Sequence, residues 1–276
     1  MDTDRSGIEF KGRLNTAKAG DNGMFRIIRG QALRLRKEEE YLRGLFPACA
    51  GMSGKALILL LTLALPASAQ IAPSAADVAT YRGLHAAAAQ GDVREIERLL
   101  RSGAAIDARD ARSRTPLHVA AFMAKHEAAR TLIRLGADAN AFESQQYDIV
   151  TIAAVANDVP MLRLALEGGC RPTNITSPYQ GTALIAASHL GHVEVVRTLI
   201  AAKAPLDHVN NLGWTALIEA IVLGDGGKRH TAVLKDLVDA GANVNLGDRS
   251  GDTPLALAKK RGFAEMVRIL AGAGAR

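Results

Sequence analysis

The sequence predicts an all-α solenoid of about six helix-turn-helix units over residues 82–276. A short segment related to Thr-Pro-Leu-His recurs at a nearly constant spacing, and a glycine follows most of the copies at a fixed distance. The first residues of the six copies, here called the reference positions, are Arg82, Thr115, Asp148, Thr182, Thr215 and Thr253. They are 33, 33, 34, 33 and 38 residues apart, and a period of about 33 is typical of stacked helix pairs.

The units begin near residues 78, 111, 144, 178, 211 and 249, and we number them 1 to 6. Each second helix carries an apolar pair, such as Leu99-Leu100 in unit 1 and Leu132-Ile133 in unit 2. No unit can bury this stripe alone, so the units are expected to stack side by side. Alanines at the point where the first helix of one unit meets its neighbour, such as Ala120 and Ala121, let neighbouring units approach closely.

A glycine at the end of the second helix, 21 residues after the reference position, predicts a left-handed residue there. Four units have it in register, and in unit 5 it is displaced by five residues: Gly103, Gly136, Gly169, Gly274 and the displaced Gly241. Lys203 takes this place in unit 4. A Cβ clashes in this conformation, so we expect Lys203 to be left-handed at a cost of about 1 kcal/mol.

These residues resemble the ankyrin-repeat family over about 195 of the 276 residues. The motifs that carry the resemblance are Thr115-Pro116-Leu117-His118, Ala120-Ala121, Gly136-Ala137-Asp138-Ala139-Asn140, Gly191-His192, Gly241-Ala242-Asn243-Val244-Asn245 and Thr253-Pro254-Leu255. The resemblance implies hairpin fingers between units, binding of another protein in a concave groove, and a structural role for His118 in hydrogen bonds between units. Unit 3, with Asp148-Ile149-Val150-Thr151, departs most and is assigned by its phase and by Ala153-Ala154.

Residues 52–69 have the pattern of a secretory signal peptide. Lys55 precedes an apolar run at 56–65, and Ala67-Ser68-Ala69 predicts cleavage between Ala69 and Gln70. The run is shorter than the roughly 20 residues that span a bilayer. We therefore expect a periplasmic or secreted protein in which residues 70–81 form a short linker.

Residues 1–51 precede this leader, which is unusual for a signal peptide. One interpretation is a start codon assigned too early, with Met52 or Met24 as the true first residue. The other is a disordered or partly helical cytosolic extension, with the chain anchored in a membrane through residues 56–65.

Charge and cysteine content exclude some classes of function. The net charge is +6 for the whole chain, but residues from Gln70 onward have 23 basic against 21 acidic side chains. This near balance argues against a nucleic-acid partner, which needs a clustered basic face. Only Cys170 follows the leader, so no internal disulfide can form, and its place at a loop start predicts a partly exposed but inert thiol. We expect a monomer.

No catalytic, metal or cofactor site is predicted. His189 and His192 are three residues apart, but no third ligand can be placed beside them. Four aspartates that recur at one loop phase are expected to form turns: Asp107, Asp138, Asp207 and Asp248. A small-ligand or metal-binding protein is kept as an alternative function, and an enzyme as a weaker one, because no nucleophile, base and orienting residue can be assembled.

The expected partner-binding surface combines hairpin tips with two positions near the end of each first helix. Its predicted members are Arg112, Arg114, Phe122, Met123, Gln145, Tyr147, Tyr179, His189, Leu190, Leu212, Trp214, Val222 and Leu223. Trp, Tyr and Arg are the residues that binding hot spots favour. The alternative is that these side chains only cover the fingers and fill gaps between units. The insertion at residues 224–230 is interpreted as a solvated turn, or as a second contact through Lys228, Arg229 and His230.

Overall fold

The protein is described by a computed structural model over residues 70–276, which contain helices and no strand. Helix α1 (Ala75–Thr80) comes first and six helix pairs follow. The pairs are α2 (Gly83–Gln90) and α3 (Val93–Arg101), α4 (Pro116–Phe122) and α5 (His126–Arg134), α6 (Ile149–Ala156) and α7 (Val159–Glu167), α8 (Ala183–Leu190) and α9 (Val193–Ala201), α10 (Ala216–Val222) and α11 (Lys228–Asp239), and α12 (Pro254–Lys260) and α13 (Ala264–Gly272).

The reference positions are the N-cap residues of the six first helices. In five units the N-cap side chain accepts a hydrogen bond from the backbone N–H three residues on; for example, Thr215 accepts from Ile218 at 3.3 Å. A helix leaves its first N–H groups without partners, and a hydroxyl or carboxylate supplies one. This requirement explains why Thr or Asp recurs there, whereas Arg82 makes no such bond.

The units stack in one dimension, as predicted. Each first helix contacts the first helix of the next unit, from α2 to α12, and the second helices do the same from α3 to α13. One residue of the predicted apolar pair is wholly buried in units 2, 4, 5 and 6: Leu132, Leu199, Leu237 and Leu270. In unit 1 the predicted pair Leu99-Leu100 is only half-buried, and Ile96 is enclosed instead. The alanines that were expected to allow close approach are buried too: Ala120, Ala121, Ala153, Ala154 and Ala187.

The left-handed ends of the second helices are confirmed. The backbone angle φ lies between 81° and 97° at the five predicted glycines, which are Gly103, Gly136, Gly169, Gly241 and Gly274. Lys203 has a φ of 65° at the corresponding place in unit 4. Unit 4 therefore carries the backbone strain that the other units avoid.

Two segments differ from expectation. Residues 75–80 form a helix instead of part of a linker, because Ser74 and Asp77 make a reciprocal capping box. The insertion in unit 5 is divided between a longer loop and a longer helix, since α11 has 12 residues where the other second helices have 9. Within residues 70–276 no helix has the length and apolar character needed to cross a membrane. Residues 1–69, with the predicted leader, lie outside the described part.

Candidate partner-binding surface

A finger precedes each first helix of units 2 to 6. The fingers comprise residues 110–114, 143–147, 176–181, 210–214 and 248–252. In unit 2 the Asp110 carboxylate accepts the backbone N–H groups of Arg112 at 2.8 Å and Arg114 at 2.9 Å, while Asp110 N–H donates to the Arg114 carbonyl at 3.0 Å. Glu143, Asn210 and Asp248 repeat this pattern in units 3, 5 and 6. One polar side chain therefore closes each of these four turns.

Backbone hydrogen bonds join the fingers of units 2 to 5 into a row. Ser144 N–H donates to the Arg112 carbonyl at 2.9 Å, Ser177 N–H to the Gln146 carbonyl at 3.0 Å, and Asn211 N–H to the Tyr179 carbonyl at 2.9 Å. Each bond links one finger to the next. A row held by main-chain bonds presents its tips in a fixed arrangement before any partner arrives.

His118 connects neighbouring units, as the resemblance implied. Its Nδ1 accepts the Thr115 N–H at 3.2 Å, and its Nε2 lies 3.2 Å from the Tyr147 carbonyl in unit 3. Burial lowers the pKa of His118 to about 4, so the ring is neutral at pH 7. His192 lies 2.9 Å from the Ala154 carbonyl in the unit before it.

Several residues predicted for the binding surface are buried inside the chain. Arg114, Tyr147, Trp214 and Val222 have little exposed area, and Trp214 is only 8% exposed. Burial raises the pKa of Tyr147 to about 12. The expectation that these four side chains line an open groove is therefore wrong, and the alternative that they fill gaps between units describes them better.

The other predicted residues reach the surface. Tyr179 is 37% exposed, and Arg112 and Leu212 are exposed at the same position in other fingers. The remaining members are half-buried: Phe122, Met123, Gln145, His189, Leu190 and Leu223. His189 extends toward unit 5, with its Nδ1 3.9 Å from Glu219 Oε2.

A second set of exposed apolar side chains was not predicted. Phe142, Ile175 and Val209 lie six or seven residues before the reference positions of units 3, 4 and 5, and Ile175 is 53% exposed. With Tyr179 and Leu212, they are five of the six large apolar residues exposed in residues 70–276. The sequence contains a pattern that predicts this set, because apolar residues recur at this register in three consecutive units.

Comparison with known proteins agrees with the repeat geometry. The family model described as ankyrin repeats (three copies) matches residues 70–143 and 150–248, more than half of the chain. The chain belongs to the ankyrin-repeat family. It is 34% identical over 191 residues to the ankyrin repeat protein YahD of Escherichia coli K12, a match that covers 68% of this chain and 94% of YahD.

Solved ankyrin-repeat structures show the same fold. An ankyrin-repeat domain from Acinetobacter baumannii AYE is 45% identical, with a TM-score of 0.68, and the match covers 70% of this chain and 98% of that domain. The ankyrin-repeat protein EF0377 is 31% identical, with a TM-score of 0.65 and coverages of 70% and 98%. The ankyrin repeat is a module for protein–protein interaction and a binding scaffold, not a catalytic framework.

The insertion of this ankyrin-repeat chain is a turn between α10 and α11 in which Asp225 is exposed, as predicted, while Gly226 packs against unit 6. A Cβ on Gly226, where φ is 68°, would lie 2.3 Å from the Phe263 ring. His230 is buried, with its Nδ1 2.8 Å from Asp225 Oδ1 and its Nε2 2.9 Å from the His189 carbonyl. His230 therefore joins units 4 and 5 and is not open to a partner, whereas Lys228 and Arg229 are exposed.

The recurring aspartates divide into two roles. Asp138 and Asp248 accept the N–H two residues on, at 2.8 Å each, and form turns as predicted. Asp107 and Asp207 instead accept a backbone N–H from the next unit, at Asp138 and Asn243 respectively. The repeated carboxylates are therefore occupied by backbone groups.

Cys170 is buried and not partly exposed as expected, because it packs beneath Asp148 and Asn174. Burial raises the pKa of its thiol, which disfavours the thiolate. Among residues 70–276, no group of three or more His, Cys, Asp or Glu side chains is arranged to hold a metal ion.

Proposed function

We propose that this protein binds a partner protein through its fingers and the adjoining ends of its first helices. The observation that supports this is the concentration of exposed apolar side chains on the fingers of units 4 and 5 and at the residue just before each finger of units 3 to 5. Phe142, Ile175, Tyr179, Val209 and Leu212 all belong to that region. A clustered exposed apolar surface on a soluble domain is typical of an interaction site.

The fixed row of fingers adds to the argument. Because the tips are joined by main-chain hydrogen bonds, a partner would not have to order them, and less conformational entropy would be lost on binding. Tyr179 and Leu212 occupy the same position on adjacent fingers, which are linked by the bond from Asn211 to Tyr179. We expect these two side chains to be the apolar centre of the interface.

The test is to replace Tyr179 and Leu212 together by Ala and to compare the proteins captured from envelope extract. Leu135→Ala is the matched control, since Leu135 is 40% exposed but lies at the end of α5, away from the fingers. We expect the double variant to lose the partners that the parent and the control retain. Retention of the same partners by the double variant would overturn the proposed surface.

We further propose that the protein works in the periplasm, or outside the cell, after cleavage between Ala69 and Gln70. The apolar run at 56–65 and the Ala67-Ser68-Ala69 end support this location. An exported interaction module of this kind would serve an envelope protein or an exported enzyme as an accessory.

N-terminal sequencing of the protein purified from its native cells tests the location. The expected first residue is Gln70. A chain that keeps residues 56–65 would instead favour a membrane anchor.

A further inference from the structure

Helix α1 takes the place of a finger in unit 1. In units 2 to 6, the fingers fill the last five or six residues before the reference position, but in unit 1 this stretch ends α1 and contains Tyr81. Asp77 stands five residues before Arg82, the register of Asp110 in unit 2, yet its carboxylate accepts the Ser74 N–H at 2.9 Å to cap α1. The row of fingers therefore begins with a helix.

This helix is tied to the finger of unit 2. The Tyr81 hydroxyl donates to Asp110 Oδ2 at 2.8 Å, and Arg114 Nη2 lies 3.3 Å from Asp77 Oδ2. Arg114 is almost wholly buried by these contacts. The finger row is thus already covered at unit 2 by the chain itself.

The residues before α1 continue along the row to unit 3. Ile71 N–H donates to Gln145 Oε1 at 3.2 Å, and Gln145 is at the tip of the unit 3 finger. The side-chain nitrogen of Gln70 is also buried. Residues 70–74 therefore pass from α1, which lies against unit 2, to the tip of unit 3.

We infer that residues 70–80 act as an intramolecular cover of the finger row, with α1 against unit 2 and the residues before it against the tip of unit 3. The inference deepens the proposed function, because it divides the partner surface. A partner that contacts Gln145 must first displace residues 70–74, whereas Tyr179 and Leu212 in units 4 and 5 lie beyond the reach of these contacts. The cover lowers the affinity of any partner that extends to unit 3.

The test measures the contact between residues 70–74 and the unit 3 finger in the absence of a partner protein. A negative result would therefore refute the cover without refuting the proposed function. The full chain is labelled with nitrogen-15 isoleucine, and solvent exchange of the Ile71 amide is measured by NMR in the parent and in Gln145→Ala. We expect exchange about fivefold faster in Gln145→Ala, the factor that one ordinary hydrogen bond gives. Leu212→Ala, at the same finger position in unit 5, is the matched control and should exchange at the parent rate.

Equal Ile71 exchange in the parent and in Gln145→Ala would overturn the cover. A large acceleration in Leu212→Ala would overturn it as well, because the effect would then not depend on the finger that Ile71 contacts. A far-ultraviolet circular dichroism spectrum of each variant that matches the parent shows that the stack itself is intact.

Discussion

Units 2 and 5 have the same finger backbone but differ in how their buried ionisable side chains are paired. In both fingers, one side chain, Asp110 or Asn210, accepts the N–H groups two and four residues on. In unit 2 the residue at the end of the finger is Arg114, and in unit 5 it is Trp214, and both are buried. The backbone hydrogen bonds therefore determine the conformation of the finger, while the buried side chains determine how its stability depends on pH and on substitution.

In unit 2 the buried charges compensate one another. Arg114 Nε donates to Asp110 Oδ2 at 2.7 Å, and its guanidinium also faces Asp77. Burial alone would raise the pKa of Asp110, but hydrogen bonds from Arg114 and Tyr81 hold it below its usual value. In unit 5 the contacts of Glu219 are weaker. Its Oε1 accepts one bond from the neutral Asn210 amide at 2.9 Å, His189 Nδ1 lies 3.9 Å from its Oε2, and burial raises the pKa of Glu219 to about 7.

Removal of the compensating charge in unit 2 is the strongest test of this comparison. We expect Arg114→Met to lower the free energy of unfolding by about 3–5 kcal/mol, because Asp110 would be left buried without its ion pair. Urea denaturation measures the change. Arg112→Met, at the exposed tip of the same finger, should alter stability by no more than about 0.5 kcal/mol. A loss of less than about 1 kcal/mol in Arg114→Met would show that the pair is dispensable.

The opposite result is expected in unit 5, where a buried ionisable carboxyl is replaced by a neutral amide. A raised pKa means that folded Glu219 keeps its proton while the unfolded chain loses it, so stability falls as the pH rises from 4.5 toward 7. Glu219→Gln keeps an acceptor for Asn210 and removes the ionisation. We expect it to be more stable than the parent above pH 7 by up to about 3 kcal/mol, at 1.36 kcal/mol per pKa unit.

The pH series decides whether ionisation is the cause. The stability advantage of Glu219→Gln should vanish below pH 4.5, where the Glu219 carboxyl is protonated in both the folded and the unfolded chain. Glu194→Gln, an exposed carboxyl in α9, is the control and should show no comparable gain at high pH. A gain for Glu219→Gln that is the same at every pH would instead indicate a packing effect.

The sequence predicted what depends on the backbone of each unit and missed what depends on side-chain direction in the fingers. The stacked helix pairs and the left-handed Lys203 follow from the repeat spacing and from local backbone sterics, so the repeated residue types were enough to predict them. The role of His118 came from the family resemblance and was also confirmed.

The candidate surface was predicted less well. Tyr147 and Trp214 are expected in the groove because aromatic residues are favoured at interfaces, but the residue at the end of the finger is buried in units 2, 3 and 5. The burial of Arg114 could not be anticipated, since one of its two carboxylates, Asp77, belongs to a helix that was expected to be a linker. The prediction omits Phe142, Ile175 and Val209, although their recurrence six or seven residues before three consecutive reference positions is visible in the sequence.

The smallest effect extends the comparison to the ends of the second helices in units 2 and 4. Gly136 and Lys203 occupy equivalent places, with φ values of 97° and 65°. We expect Lys203→Gly to stabilise the protein by about 1 kcal/mol, and Gly136→Lys to destabilise it by a similar amount, because only glycine avoids the left-handed strain. A Cβ at Gly136 would meet no atom within 4 Å, so the stability change of Gly136→Lys contains no contribution from a steric clash at the Cβ. Urea denaturation of both variants checks the pair, and changes of the same sign would contradict a backbone origin.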